Sequence, residues 1–314
     1  MKDTTSDITI IDVGCPLCGT ADPHRLLERL EDVEDRVPGQ YAISRCVKCG
    51  LVYLSRRPSV ESLPQCYPTH YHVHDPIRRS PIPQFLCGLR LRARYRHLMM
   101  TAGRKCGALL DVGCGDGGFL RLLDKKMPPE SILTGIDLRV PATGETAGSR
   151  LNLIEGEFEK VEFPVKYDIV VMFHVLEHLA NPLTSLKKIS EHLKPGGLLF
   201  GEVPNWDSLW RRLFPRHWQG LQIPRHQTLF DPLSLRKVLG LAGYDLIDIR
   251  CIYDPGDLSV TLCNWIVHKL KLQTPPRQVW FYFPAVLLSA PIVWFANLLS
   301  HRSGTIEFVA QRRS

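Results

Sequence analysis

The sequence predicts an α/β protein: a doubly wound, mostly parallel sheet preceded by a small cysteine-bearing ribbon. Three observations carry that expectation. From Ala108 onward, short apolar runs alternate with helical patterns, as in a parallel sheet covered on both faces. The first of these runs passes through a glycine-rich loop into a helix, so that backbone amides at the helix start face whatever binds there. Ahead of the series stand two C-x-x-C-G knuckles, Cys15-Pro-Leu-Cys18-Gly19 and Cys46-Val-Lys-Cys49-Gly50.

The length of 314 residues suits one large domain with an appendage, or two domains. The expected division is a ribbon over 1–57, a linker and basic helix over 58–105, and the main domain over 106–314. With 44% hydrophobic and 23% charged residues and a mean hydropathy of −0.07, the chain is neither disordered nor a polytopic membrane protein. A formal charge of +7 favours anionic partners without naming one. The start MKDTTSDITIIDVGC carries acids and no signal-peptide core, so a cytoplasmic protein is expected. The ten cysteines then read as thiols or metal ligands, not a disulfide framework.

In each knuckle the glycine lets the chain turn so that amides face the sulfurs. Cys15, Cys18, Cys46 and Cys49 together would make a closed tetrahedral zinc site, with no open position for catalysis. The alternatives are coincidental reduced cysteines or a redox pair, but the latter needs only one C-x-x-C beside a βαβ pattern that is absent here. The 27 residues between Cys18 and Cys46 can hold a hairpin. Leu51–Leu54 reads as a strand, and the prolines from Pro58 to Pro83 read as a linker or lid. His70, His72 and His74 alternate there as loop histidines or metal ligands. Between Arg78 and Lys105 lie eight Lys or Arg and no acid. The helix Arg90–Met100 within it either packs through Leu89, Leu91, Tyr95, Leu98 and Met99, or turns a basic face to phosphates.

In the main domain, strands are expected at Ala108–Val112, Ser131–Asp137, Leu151–Glu155, Lys166–Phe173 and Gly197–Val203, with helices at Phe119–Lys126, Pro182–Leu193 and Pro232–Leu241. Gly113, Gly115 and Gly118 satisfy G-x-G-x-x-G, a weak signal alone. Asp111, two residues before the first glycine, discriminates: it suits a cationic or amine-bearing ligand and would repel a pyrophosphate. Asp137 ends the next strand, where it can accept both hydroxyls of a ribose.

In combination, LLDVGCGDGGFL, GIDL, YDIVVMFHVLEHLANP, LKPGGLLFGEVPN and HQTLFDPLSLRKVLGLAGYDL resemble the class I S-adenosylmethionine-dependent methyltransferases, over Leu109 to about Arg250. That resemblance implies a seven-stranded Rossmann-like sheet and S-adenosylmethionine as cofactor. Asp111, Gly113, Cys114, Gly115 and Gly117 would cradle its methionine part, Asp137 and Leu138 its ribose. Glu157 and Phe158 would lie beside the adenine, and Phe173 and His174 near the reactive methyl. The knuckles followed by Tyr67-Pro68-Thr69-His70-Tyr71 resemble a bacterial subgroup with an amino-terminal zinc ribbon, whose members often modify small molecules or envelope glycans.

His174-Val-Leu-Glu177-His178 also matches H-x-x-E-H, the pattern of some zinc proteases, but no third ligand is apparent in the sequence. Ubiquinone-type O-methyltransferases and small-RNA 2′-O-methyltransferases resemble this region with E-x-x-E-H, which supplies divalent metal ligands. Here His174 replaces the first acid and Pro182 a further histidine, which disfavours a catalytic metal. His174 or His178 as a general base for a hydroxyl acceptor is the expectation, with His217 and His226 as secondary candidates; a hydrogen-bonding role is the alternative.

Trp206–Trp218, three tryptophans interleaved with arginines, would cap the acceptor pocket, stacking on a sugar, meeting a membrane interface, or simply packing. Between strands expected at Tyr244–Cys251 and Thr305–Gln311 lies an insertion, about 253–303, with the twenty uncharged residues Trp280–Leu299. Its flanks must return to one sheet, so a full membrane crossing is excluded; Pro284 and Pro291 are expected to break the run into short pieces. A peripheral membrane contact through 280–299 at the inner face of the cytoplasmic membrane is expected, against a homodimer contact or an extra core layer. The expected activity is methyl transfer, most readily to oxygen, on a cell-envelope saccharide, lipid or lipid-linked sugar. The competing classes are an RNA methyltransferase, though nucleic acid gives the apolar insertion no role, and a non-catalytic binding module.

Overall fold

The computed structural model describes residues 8–67, 81–103, 107–140, 150–254, 256–300 and 302–313. His70, His72, His74 and the segment after Tyr67 lie outside the described residues. Two sheets organise the chain. The larger takes β5 (Ala108–Val112), β6 (Ile132–Asp137), β7 (Leu151–Glu155), β8 (Tyr167–Phe173), β9 (Leu193–Pro204), β11 (Tyr244–Ile252) and β12 (Thr305–Arg312). Their spatial order is β11-β12-β9-β8-β5-β6-β7. Strands β7, β6, β5, β8 and β9 are parallel, whereas β12 runs antiparallel between β9 and β11. This is the expected doubly wound, seven-stranded sheet. Every residue of β5 is buried, as a central strand covered on both faces must be. The strand order reverses between β5 and β8, so the crevice at their carboxyl ends is where this architecture binds ligands.

Helices α2 (Gly118–Asp124), α3 (Pro182–His192) and α5 (Pro232–Leu241) follow the expected spans closely. Asp231 caps α5 by accepting from the Ser234 amide, with Ser234 bonded back in a capping box. Helix α1 (Pro81–Ala102) starts inside the proline-rich stretch expected to be a linker; a proline fits a helical first turn, where no amide donor is required. It packs through Leu91, Tyr95, Leu98 and Met99, but Leu89 is exposed, which corrects its place among the packing residues.

The smaller sheet holds β1 (Ile10–Asp12), β2 (Pro23–Leu30), β3 (Tyr41–Cys46) and β4 (Val52–Pro58). The hairpin β2–β3 fills the gap between the knuckles, as expected. This lobe is not a separate bead. The short strand β10 (Thr228–Leu229) adds to β4, and Cys15, Cys46, Leu51 and Tyr53 belong to the same apolar cluster as Leu110 and Val203 of the large sheet.

The insertion corrects the expected fragmentation. It forms α6 (Gly256–Lys269) and one unbroken α7 (Tyr282–Ser300), with Pro291 inside. Pro284 stands in the first turn, and Pro291 removes one internal hydrogen bond that eighteen other residues of apolar helix outweigh. Trp206, Trp210 and Trp218 are only 1–6% exposed. They pack against Leu30, Tyr41 and Ile43 of the ribbon lobe, so this segment is a packed element and not a membrane-facing one.

A buried ion pair ties the lobes together. Arg225, fully buried, lies 3.1 Å from Asp32 and 3.0 Å from Asp35. Replacing Arg225 by Met leaves Asp32 inside without its counter-charge and is expected to cost about 3–5 kcal/mol, read as a fall in the thermal midpoint. Adding Asp32→Asn to that variant should recover part of the loss.

Candidate active site

The glycine loop sits at the strand-order reversal. Gly113, Gly115 and Gly117 all have positive φ, and Gly117 caps α2. At Gly113 the need for glycine is double: φ is +75°, and an added Cβ would stand 2.3 Å from Val175 Cγ2. The Gly115 amide donates to Asp137 Oδ2 at 2.8 Å, locking the loop to the end of β6. Asp111 is 3% exposed. Burial pushes its carboxyl up to about 7, opposed by Arg94 and assisted by Asp137.

The other expected cofactor residues are placed unequally. Cys114 is buried against Leu120 and Leu133, and Leu138 is exposed. Phe158 packs into the core, whereas Glu157 is exposed and pairs with Lys160 at 2.8 Å. Phe173 meets Phe119 edge-on at 5.3 Å, with the Arg94 guanidinium 4.0 Å above its ring centre.

Beside the loop lies a charge cluster that sequence reasoning missed. Glu202 of β9 is wholly buried. It accepts from Arg94 Nε at 2.7 Å and Nη2 at 2.6 Å, and from Arg90 Nη2 at 2.7 Å. Burial alone would raise its pKa, but Arg94 and Arg90 hold it well below the usual carboxylate range. The signal was present as Arg90 and Arg94, one helical turn apart, and as an acid within the apolar strand LLFGEV. These two arginines of α1 therefore face inward. Arg90 also reaches Asp254 at 3.4 Å.

His174 follows β8 with φ +59°, a left-handed conformation uncommon outside glycine. Its amide donates to the Glu202 carbonyl at 2.9 Å. Its ring lies between two acids, with Nδ1 3.3 Å from Glu177 Oε1 and Nε2 3.3 Å from Glu202 Oε2. Arg90 Nη2 stands 2.9 Å from the same Nε2. A guanidinium only donates, so Nε2 accepts and Nδ1–H donates to Glu177. Burial lowers the ring's pKa, yet Glu177 and Glu202, which both accept from the ring once it is protonated, outweigh it and leave it raised.

His178 and His226 stack edge-on at 4.6 Å. His178 Nδ1 is 3.1 Å from the Tyr67 hydroxyl, and His226 Nδ1 donates to the Gly220 carbonyl at 2.8 Å. Burial depresses both rings' pKa, most strongly at His226. Glu177, His178 and His226 each bring a ligand atom within 4.8 Å of the others. The structure thus supplies a third group beside Glu177 and His178 that the sequence did not show, from a loop 48 residues downstream. His217 lies apart, 2.9 Å from His268.

In the ribbon lobe the four sulfurs converge within 4.8 Å. Cys15 and Cys49, and Cys18 and Cys46, are 3.4 Å apart, too far for disulfides.

The chemistry of the main site fits S-adenosylmethionine. Asp111 is a buried acid whose ionised form gains when an ammonium arrives, Asp137 offers a carboxylate at a strand end, and the glycine loop leaves no room for a side chain at Gly113. Gly113→Ala should weaken binding of this cofactor at least about tenfold by calorimetry, and Val175→Ala added to it should recover only part, since the backbone strain stays. Asp137→Ala should cost about tenfold or more, a hydrogen bond to a charged group.

The chain is similar to known methyltransferases. Residues 85–249 match the family model described as "Methyltransferase domain". A ubiquinone biosynthesis O-methyltransferase of Azoarcus sp. is 33% identical over 196 residues, covering 54% of this chain and 79% of that protein. A malonyl-[acyl-carrier protein] O-methyltransferase of Priestia megaterium is 33% identical over 103 residues, 31% of this chain and 37% of that one. Apart from the Azoarcus protein, the chain spans 36–49% of the length of the first relatives it matches. Among solved structures, a plantazolicin methyltransferase is similar with TM-score 0.47 and 16% identity, over 76% of this chain and 86% of that one. The chain belongs to the methyltransferase-domain family.

Proposed function

We propose that the chain methylates a hydroxyl of a cell-envelope saccharide, lipid or lipid-linked sugar, with His174 as the general base. The observation that supports this most is the ring of His174 set between the carboxylates of Glu177 and Glu202, 3.3 Å from each. Bound S-adenosylmethionine supplies an electrophilic methyl carbon. The remaining work falls to side chains. Asp111, Asp137 and the loop amides orient the cofactor, and Phe173 with Arg94 walls off water beside His174. An acceptor hydroxyl replaces Arg90 at His174 Nε2 and gives up its proton there. Arg90 keeps Glu202 and Asp254 as partners. The resulting imidazolium lies between two acids, which is also why its pKa is raised. His178, packed on His226 and depressed by burial, is read as a positioning group.

The sign of the pH dependence follows. Below its pKa His174 already carries the proton and cannot accept another, so transfer falls as pH drops through a pKa raised from that of an ordinary imidazole and is flat above it. His174→Gln should lower kcat by about 10²–10⁴-fold and abolish that acid limb while cofactor affinity stays. Labelled-methyl incorporation into lipid and glycan extracts provides the assay. An unchanged profile in the variant would remove His174 from the role.

The four converging cysteines are proposed to hold one structural zinc, placing the chain in the zinc-ribbon subgroup. Elemental analysis should find one zinc per chain, and Cys15→Ser with Cys46→Ser should release it and lower the thermal midpoint. A metal-free wild type of unchanged stability would overturn this.

A further inference from the structure

Helix α7 is inside out for a protein in water. Of its 19 residues, those turned inward include Ser289 and Val293, 3% and 1% exposed. The opposite side carries Leu287, Leu288, Ile292, Trp294, Phe295 and Leu299, between 55% and 74% exposed. Leu288, Ile292, Phe295 and Leu299 recur every three to four residues, with Leu287 and Trp294 beside them, so they form one broad stripe along a helix about 28 Å long. An exposed apolar surface of that extent normally has a partner. Just before the helix Trp280 is 86% exposed.

Charge around the stripe selects that partner. From Leu258 to Ile306 the chain has Lys269, Lys271, Arg277 and Arg302 and no Asp or Glu; Arg277 pairs with Glu34 at 3.9 Å and Arg302 with Asp207 at 3.6 Å, which leaves the two lysines for an outside partner. Lys269 and Lys271 are exposed at the end of α6 next to Trp265, whose ring Lys269 overlies at 5.3 Å. A second copy docked on the same stripe would set this acid-free stretch against itself across a two-fold axis. An anionic bilayer instead offers acyl chains to the stripe and headgroups to the cations, with tryptophans at the interface between them.

The fold also fixes how the helix can lie. The turn between α6 and α7 is tied to the ribbon lobe: Arg36 donates to the Leu272 carbonyl and to Gln273, and Val279 packs with Val33. The other end returns to β12. Neither end is free, so the helix can lie in the membrane plane but not cross it. That end is the rim of the active site. Thr305, the first residue of β12, pairs with Pro204, two residues after Glu202, and Asp254, just before α6, holds Arg90. An open groove of about 510 Å³ between Leu209 and Phe295 carries the apolar surface toward α4 (Leu209–Leu213).

We infer that the outward face of α7 docks in the plane of an anionic lipid bilayer, with Lys269 and Lys271 engaging its headgroups. The docking stands apart from the methyl-transfer reading; only the idea that the acceptor comes from that bilayer rests on it. Flotation of the full-length chain with phosphatidylcholine vesicles, and with phosphatidylglycerol–phosphatidylcholine vesicles, tests it. The wild type should float with the mixed vesicles, shift its tryptophan emission to the blue, and detach at high salt more readily than at low. Leu287→Glu with Leu288→Glu should reduce partitioning about tenfold or more, and Lys269→Gln with Lys271→Gln should narrow the difference between the two vesicle types. Both variants should bind S-adenosylmethionine as the wild type does, which shows that they fold. Equal flotation of the Leu287/Leu288 variant would overturn the proposal. So would a wild type that ignores both vesicles, or a lipid-free dimer that those two substitutions dissolve, which would assign the stripe to a second copy.

Discussion

The carboxylate of Glu202 is the constraint around which the site is arranged. A wholly buried charge is tolerated only when opposite charges and hydrogen bonds surround it. Its compensation comes from Arg94 and Arg90, both on α1 and one turn apart. That requirement draws α1 across the carboxyl ends of the parallel strands. Once there, Arg94 also covers Phe173 and opposes the raised pKa of Asp111, while Arg90 reaches His174 and Asp254. One buried acid thus links the helix before the sheet, the end of β8, and the entrance to the α6–α7 insertion.

The strand–helix series was legible because parallel strands are apolar on both faces and glycine loops follow them closely. The same rules placed Asp111, Asp137 and the three loop glycines, each at a strand end or turn where backbone geometry restricts the residue type. The charge cluster was not legible. Glu202 looks like any acid near a strand end, and Arg90 and Arg94 look like part of a solvated basic face. Only the crossing of α1 over β9 shows that they face each other, and that contact spans 108 residues of sequence for Arg94. The expectation of a basic surface on α1 failed for these two positions for that reason. Arg92 and Arg96, on the other side of the helix, do face solvent.

The insertion illustrates a different limit. Proline rules describe the cost of breaking one hydrogen bond, but they do not say what a long apolar segment gains by staying helical. In α7 the helix continues through Pro291, and Tyr253 donates to the Ala290 carbonyl beside it. The tryptophans of 206–218 erred in the opposite direction. Amphipathic rings near arginines look like an interface from sequence alone, yet Trp218 donates to buried Asp257 at 3.1 Å, and Arg211 stacks on Trp206 at 4.5 Å. The rings are buried and find their partners inside the protein, so they need no external surface.

The cysteine lobe has a larger part in the site than an appendage would. Its strand β4 bonds through the Leu54 amide to the Gln227 carbonyl at 2.9 Å, and the Gln227 amide in turn bonds to the Glu177 carbonyl at 2.7 Å. Arg57 of β4 holds the Gln227 side chain at 2.9 Å. The same loop carries Arg225, anchored on Asp32, and His226, stacked on His178. Strand β4 of the ribbon, with β10 added antiparallel to it, is therefore the back wall against which the His174–His178 turn is set. The left-handed backbone of His174 is costly in isolation. It persists because Glu202 fixes it from the sheet side while the ribbon, through Gln227, fixes Glu177 three residues further on. A lobe that organises the four cysteines thereby also sets the orientation of the histidine between two carboxylates.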